Sequence, residues 1–303
     1  MIRPTKATAD GRAYLELQNL ARKERKVTGE LLTMYVVERW LARLATSAYR
    51  DDFILKGGML LASFGARRPT ADADALARNM AADEQTVVQR VVDIALIAMP
   101  EDGVRFDADS VRAQQIREEA VYAGTRVRMD AHLATADVRL SLDINFGDPV
   151  TPGPQPIQLP PLRPGMEPIS ILGYPVETVI AEKLMTAVAL GATNTRVRDY
   201  ADIWTLTSSH PLDRATMWQA LHATSTYRAT PIEPLSAVVG SIGADRNTTY
   251  TAYRRQLGPD GEQLPRSFHQ VIVEVIAFAD PLLAATVTQG SWDPSRRQWR
   301  SSA

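Results

Sequence analysis

Apolar residues recur at helical spacing through the first fifty positions. Tyr14, Leu17 and Leu20 share one face, and after Val27-Thr28-Gly29 a second helix carries Leu32, Val36 and Trp40 beside Met34, Val37, Leu41 and Leu44. That helix is apolar over much of its girth, which predicts burial against a sheet or between lobes. The pattern then changes. Phe53-Ile54-Leu55 is a short apolar run stopped by Lys56-Gly57-Gly58, and Met59, Leu60, Leu61, Ala62 and Phe64 predict a short helix closed by Gly65. In Thr70-Ala71-Asp72-Ala73-Asp74 polar residues alternate with alanine, the period of a strand, so Thr70, Asp72 and Asp74 are expected on one face. Val87, Val88, Val91 and Ile94 predict a helix over 83–98, ended by Pro100.

Strand-like segments follow at 104–106, 112–117, 125–129 and 138–146, with the short turns of a mostly antiparallel mixed sheet. In the last of them Val138, Leu140, Leu142 and Ile144 take one face, and Arg139, Ser141, Asp143 and Asn145 the other. Eight prolines between Asp148 and Pro168 are too many for a helix or a central strand. They mark the boundary between an α/β domain with N-terminal helices, 1–160, and a mainly helical one, 161–303. Residues 169–172 predict one further strand, and Pro175 opens a helix that runs through Val179, Ile180, Leu184 and Val188 to Gly191 and carries Lys183. Asp199 and Asp202 are three apart on the next helix and share a face, where they can orient Lys183 or Arg198. Beyond Leu206 the apolar spacing predicts core helices around Met217, 235–239, 252–257 and 268–278. A closing strand-turn element at 290–299 has Trp292 and Trp299 as anchors.

Composition narrows the chemistry. With 303 residues, 45% hydrophobic and 23% charged, the chain has the make-up of a folded protein of about two domains. Lys and Arg number 34 against 35 Asp and Glu, so any basic surface must be a local patch. The runs Arg22-Lys23-Glu24-Arg25-Lys26 and Arg254-Arg255 read as solvated helix faces. The absence of cysteine excludes disulfides, thiolate zinc sites and cysteine nucleophiles. His132, His210, His222 and His269 have no metal-ligand spacing. No apolar run approaches the ~20 residues of a membrane span, the start lacks an apolar signal core, and the expected compartment is the cytoplasm.

The chemistry concentrates in FILKGGMLLASFGARRPTADAD, residues 53–74. A glycine turn at a helix start offers bare N–H groups to a phosphate. Asp72 and Asp74, with Cα atoms roughly 6.6 Å apart on a strand, can grip one divalent ion or flank a pair. Asp143, on the polar face of its strand, is a candidate third carboxylate, with Asp130, Asp137 and Asp148 nearby.

Strand, Gly-Gly, short helix and Asp-x-Asp together resemble the active-site hairpin of the nucleotidyltransferase superfamily that includes polymerase beta, and this version resembles the AbiEii toxin family. Glu182-Lys183-Leu184 and Asn194-Thr195-Arg196-Val197-Arg198-Asp199-Tyr200-Ala201-Asp202-Ile203 add to the likeness, which covers 53–203 by motif. The resemblance implies an α/β (α+β) nucleotidyltransferase lobe plus a mainly helical lobe that completes the cleft. It further implies transfer of a nucleoside monophosphate from a nucleoside triphosphate to an acceptor hydroxyl, with Mg²⁺ (or Mn²⁺) on Asp72 and Asp74. Asp143, Lys183, Asp199 and Asp202 join these as catalytic residues. Lys56, Gly57, Gly58, Thr70, Lys183 and Arg198 are the implied nucleotide contacts. The implied biology is a toxin restrained by an antitoxin protein, whose acceptor is the 3′ end of transfer RNA. A protein side chain as acceptor, and a non-catalytic nucleotide- or RNA-binding role, are the alternatives. One departure is plain: many relatives carry Ser or Thr after the two glycines, where this chain has Met59.

Overall fold

The computed structural model describes residues 3–118, 122–285 and 289–300. The chain forms two compact units, Met1–Gly147 with Gln155–Gly173, and Asp148–Pro154 with Tyr174–Ala303. The first opens with α1 (Ala9–Glu24), whose N-terminus is capped by the Thr8 hydroxyl accepting from the Gly11 amide, and α2 (Thr28–Thr46). Helix α2 is buried on nearly every side: Trp40 meets Phe53 edge to face at 5.9 Å and donates its indole N–H to the Val91 carbonyl at 3.3 Å. Its charged residues Glu38, Arg39 and Arg43 are buried with it. Burial of such groups needs partners, and Arg43 finds them in Asp102 at 2.6 Å and the carbonyls of Ile97 and Val104.

The sheet of this unit comprises β1 (Phe53–Lys56), β2 (Ala73–Ala77), β3 (Arg105–Glu118), β4 (Tyr122–Leu133), β5 (Ala136–Phe146), β6 (Gln155–Leu159) and β7 (Ile169–Gly173), in the order β3-β4-β5-β2-β1-β7-β6. Pairs β2/β5 and β1/β7 are parallel and the rest antiparallel, which makes the sheet mixed as the sequence predicts. Between β1 and β2 lie α3 (Gly57–Leu60) and one 3₁₀ turn that ends at Gly65 with φ 73°. Helix α4 (Glu84–Ala95) follows β2, its first turn capped by Asp83 accepting from the Thr86 amide at 2.8 Å.

Three expectations are corrected. The Asp-bearing strand starts at Ala73, not Thr70, because pairing stops there: β1 reaches only Asp74, through Lys56↔Asp74, and β5 only Ala73, through Ala73↔Leu142. Upstream of it, the Thr70 hydroxyl bonds Asp72 locally, a turn geometry that competes with strand pairing. The expected strands at 104–106 and 112–117 are one strand, which starts at Arg105 and is broken by a bulge between Asp107 and Arg112, where the Ser110 hydroxyl donates to the Asp107 carbonyl at 2.6 Å. The proline-rich stretch is not a single break: Pro156 sits in β6, the edge strand, where a missing N–H is tolerated.

The second unit contains α5 (Val176–Leu190), α6 (Val197–Ser209), β8 (Leu212–Asp213), α7 (Arg214–Arg228), α8 (Leu235–Val238), α9 (Ile242–Asp245), α10 (Asn247–Gln256), α11 (Phe268–Leu283), β9 (Ser291–Asp293) and β10 (Gln298–Arg300). The last strands form a three-stranded sheet, β10-β9-β8. Phe278 lies 4.9 Å from Trp292 and 5.4 Å from Trp299, so both tryptophans anchor the closing element. No helix among the described residues is long and apolar enough to cross a membrane.

Candidate active site

At the end of β1 the chain turns through Gly57 with φ +66°, a region closed to most side chains. A Cβ at Gly57 would stand 1.8 Å from Asp74 Oδ2, and one at Gly58 2.8 Å from Thr70 Oγ1 and 3.3 Å from Arg68 Nη1. Each glycine is therefore a seat: Gly57 for the Asp74 carboxylate, Gly58 for Thr70 and Arg68. The Thr70 hydroxyl lies 3.0 Å from Asp72 Oδ1, which orients the first carboxylate of the pair. Met59, at the position where relatives place a hydroxyl residue, is 1% exposed and turned into the core.

Strand register extends the site sideways. Gln114, Arg126, Asp143, Asp74 and Lys56 pair in succession across β3, β4, β5, β2 and β1, so they form one row on one face of the sheet. Asp143 is thus brought beside Asp74 by the parallel β2/β5 pairing. Arg126 takes both of its oxygens in a fork, Nε donating to Oδ1 at 2.6 Å and Nη2 to Oδ2. The hydrogen bond to Asp143 raises the Arg126 pKa against the opposing effect of burial, and the charges of Asp143, Asp72 and Asp74 add to the rise. Lys56, at the other end of the row, is buried.

The arm carrying Arg67 to Thr70 is tied down from behind. The Arg67 guanidinium donates to the Pro160 carbonyl and stands 3.8 Å from Glu38 Oε2. Glu38 in turn accepts from the Leu162 amide at 2.8 Å and from Arg39 at 2.5 Å. Burial pushes the Glu38 carboxyl up, with both arginines pulling the other way.

In the second unit Lys183 of α5 lies 2.6 Å from Asp199 and 2.9 Å from Asp202 of α6. The i, i+3 spacing on α6 and the crossing of α5 produce this cluster, as the shared helix face predicts. An arginine reaches Asp199 too, but it is Arg196, at 2.7 Å; Arg198 is exposed.

Sequence reasoning did not single out Arg126, Arg68 or Glu38. A signal existed for two of them: Arg126 alternates with buried Thr125 and Val127, and Glu38 is a lone acid amid the apolar positions of α2. Asp143, the partner of Arg126, and Leu162 and Arg67, which join Arg39 on Glu38, lie far along the chain, which no local pattern reports.

The Gly-Gly turn closes over Asp74 near the start of β2, with Asp72 just upstream of the strand, in a mixed sheet. A family model described as "Nucleotidyl transferase AbiEii toxin, Type IV TA system" matches residues 39–274, and the chain belongs to that family. Two crystal structures from Helicobacter pylori are matched by the chain. The first, JHP933, is 13% identical with a TM-score of 0.47, covering 86% of this chain and 96% of its own. The second, described as a candidate nucleotidyltransferase, is 14% identical with a TM-score of 0.47, covering 85% and 95%. No curated protein matches the chain.

Proposed function

We propose that the protein transfers a nucleoside monophosphate from a nucleoside triphosphate to the 3′ hydroxyl of transfer RNA, and that this arrests translation until an antitoxin intervenes. The observation that carries the reading is the Asp74 carboxylate seated over Gly57 in one row with Asp143. Family membership makes it an enzyme with a nucleotide substrate. Metal dependence and the acceptor are the proposal.

The donor set fits a hard cation. Among the described residues no three His, Cys, Asp or Glu side chains are placed to hold an ion, and Asp143 is committed to Arg126. Two carboxylates with substrate phosphates completing the shell is the usual arrangement for Mg²⁺. Asp72 and Asp74 would hold it, and when bound it would neutralise triphosphate charge. The chain's own residues do the rest by position. The turn at Gly57 and Gly58 approaches the triphosphate with backbone alone, and Thr70 fixes Asp72. The Arg126 fork fixes the orientation of the Asp143 carboxylate, which we assign to the acceptor hydroxyl. Lys183, Lys56 and Arg198 are assigned to the nucleotide, Lys183 first because two aspartates orient it.

Incubation of the full chain with labelled nucleoside triphosphates, Mg²⁺ or Mn²⁺, total RNA and lysate protein tests the reading. Label at RNA 3′ ends is the expected result; label in protein, or none, rejects the RNA acceptor or the activity respectively. Induced in a bacterial host, the wild type is expected to arrest growth and Asp72→Ala to allow it. Lys183→Ala is expected to lower turnover about 10²–10³-fold. It also costs stability, because Asp199 and Asp202 stay buried without the Lys183 ammonium, Arg196 remaining for Asp199. Nucleotide affinity is therefore measured by titration well below the melting temperature of the variant, and unchanged affinity and turnover reject the assignment.

A further inference from the structure

The row that holds Asp74 and Asp143 has a neighbour on the same face. Two residues along the strands, Arg112 of β3 pairs directly with Arg128 of β4, and Arg128 with Ser141 of β5. The side-chain period of two places Arg112 and Arg128 on the face of Gln114, Arg126 and Asp143. Both arginines are exposed. Directly opposed residues on antiparallel strands have Cα atoms about 4.5–5.5 Å apart, and like charges in that relation destabilise a sheet.

The carboxylates that β4 and β5 present on this face are engaged elsewhere. Asp143 holds Arg126, Asp130 lies 3.1 Å from Arg139, and Asp137 lies 2.7 Å from His132. Among the described residues no carboxylate is placed on Arg112 or Arg128; Arg112 donates to the adjacent Val111 carbonyl at 2.7 Å. In a chain with a net charge of −1, two facing arginines without a carboxylate on either among the described residues are a local feature, not the background of a basic protein.

From this we infer that Arg112 and Arg128 form the docking surface for the sugar–phosphate backbone of the RNA acceptor, guiding its 3′ end toward the aspartate row. The inference rests on the proposed transfer to RNA and adds to it where the acceptor lies. The chemistry is that of the phosphodiester: an anion that neutralises both guanidiniums at once and accepts from their planar forks. Strand spacing and rise put Arg128 about 12 Å from Asp74 across the face, so a chain with its end at the aspartates has its preceding phosphates over the arginines. The pair specifies the backbone and not the bases, which leaves choice of acceptor to other contacts.

The test is binding of labelled transfer RNA to the full-length protein, followed by fluorescence anisotropy between 50 and 200 mM salt without nucleotide, for wild type and Arg112→Ala/Arg128→Ala. Each lost phosphate contact is expected to reduce the slope of log affinity against log salt by about 0.7–0.9, so the double variant should lose roughly 1.5 and bind RNA at least about tenfold more weakly. Its nucleoside triphosphate KM should not change. Its melting temperature should stay level or rise by about 2 °C, since a like-charge pair is relieved. Arg128→Lys keeps the charge and should retain most of the affinity. Unaltered RNA affinity and salt slope in the double variant would overturn the inference, as would a wild type that binds no RNA at 50 mM salt. A protein acceptor lost from the double variant would overturn it in favour of a protein-docking face. Arginine-dependent RNA binding without any label transfer would leave the surface standing and reject the transferase reading instead.

Discussion

Asp74→Asn is expected to abolish nucleotidyl transfer while the protein stays folded. The substitution keeps the shape of the side chain over Gly57, where Oδ2 fills the room a Cβ would take, and removes only the charge. Charge is what the reaction requires at that place, because the aspartate is assigned to a cation and a triphosphate. A lost metal ligand of this kind removes several kcal/mol of transition-state stabilisation, which corresponds to ~10³-fold or more in rate. Folding should suffer little. Asp74 lies in register with Asp143 and follows Asp72 by two residues, so neutralising it relieves repulsion among clustered carboxylates. Transfer of label and thermal melting, measured on the same preparation, check both halves. An Asn variant that retains activity, or one that has unfolded, removes Asp74 from the role assigned to it.

Glu38→Ala should show the opposite profile, a large loss of stability at a residue remote in sequence from the Gly-Gly turn. Glu38 is fully buried, with Arg39 at 2.5 Å, the Leu162 amide at 2.8 Å and Arg67 at 3.8 Å. Deleting one partner of a buried ionic cluster leaves uncompensated cations and an unmet amide, at about 3–5 kcal/mol. For a unit of this size that lowers the melting temperature by the order of 10 °C. Glu38→Gln keeps an acceptor for the Leu162 amide and should lose less. Because Arg67 leads the arm that delivers Arg68 to Gly58 and Thr70 to Asp72, transfer activity should fall as well, even below the melting range. A Glu38→Ala protein that melts with the wild type would mean that the cluster contributes no net stability, the apolar packing of α2 sufficing.

Much of this was legible in local pattern. The 3.6-residue spacing of α1, α2, α4 and α5 is a property of each segment alone, and so are Gly65 and Gly191 as stops. Asp199 and Asp202 could be placed on one face because helix geometry relates them without reference to the rest of the fold. The limits of β2 were not legible. Alternation in 70–74 looks like a strand throughout, but a strand exists only where a partner pairs it, and pairing ends at Asp74 on the β1 side and at Ala73 on the β5 side. The proline-rich stretch likewise reads as a boundary, yet Pro156 lies in a strand because the β6 edge needs no donor on that side.

The sequence by itself determined the chemistry available: a Gly-Gly turn, an Asp-x-Asp, a helical lysine with two aspartates to orient it, and no thiol. These are residue types legible within their own segments of the chain. Only the tertiary structure decided which groups face them. Parallel pairing of β2 with β5 set Asp143 beside Asp74, antiparallel pairing of β4 with β5 gave Asp143 to Arg126, and pairing of β3 with β4 left Arg112 opposed to Arg128. Strand partners and register come from packing energies summed over the whole sheet, and a shift of one residue would turn each of these side chains to the other face.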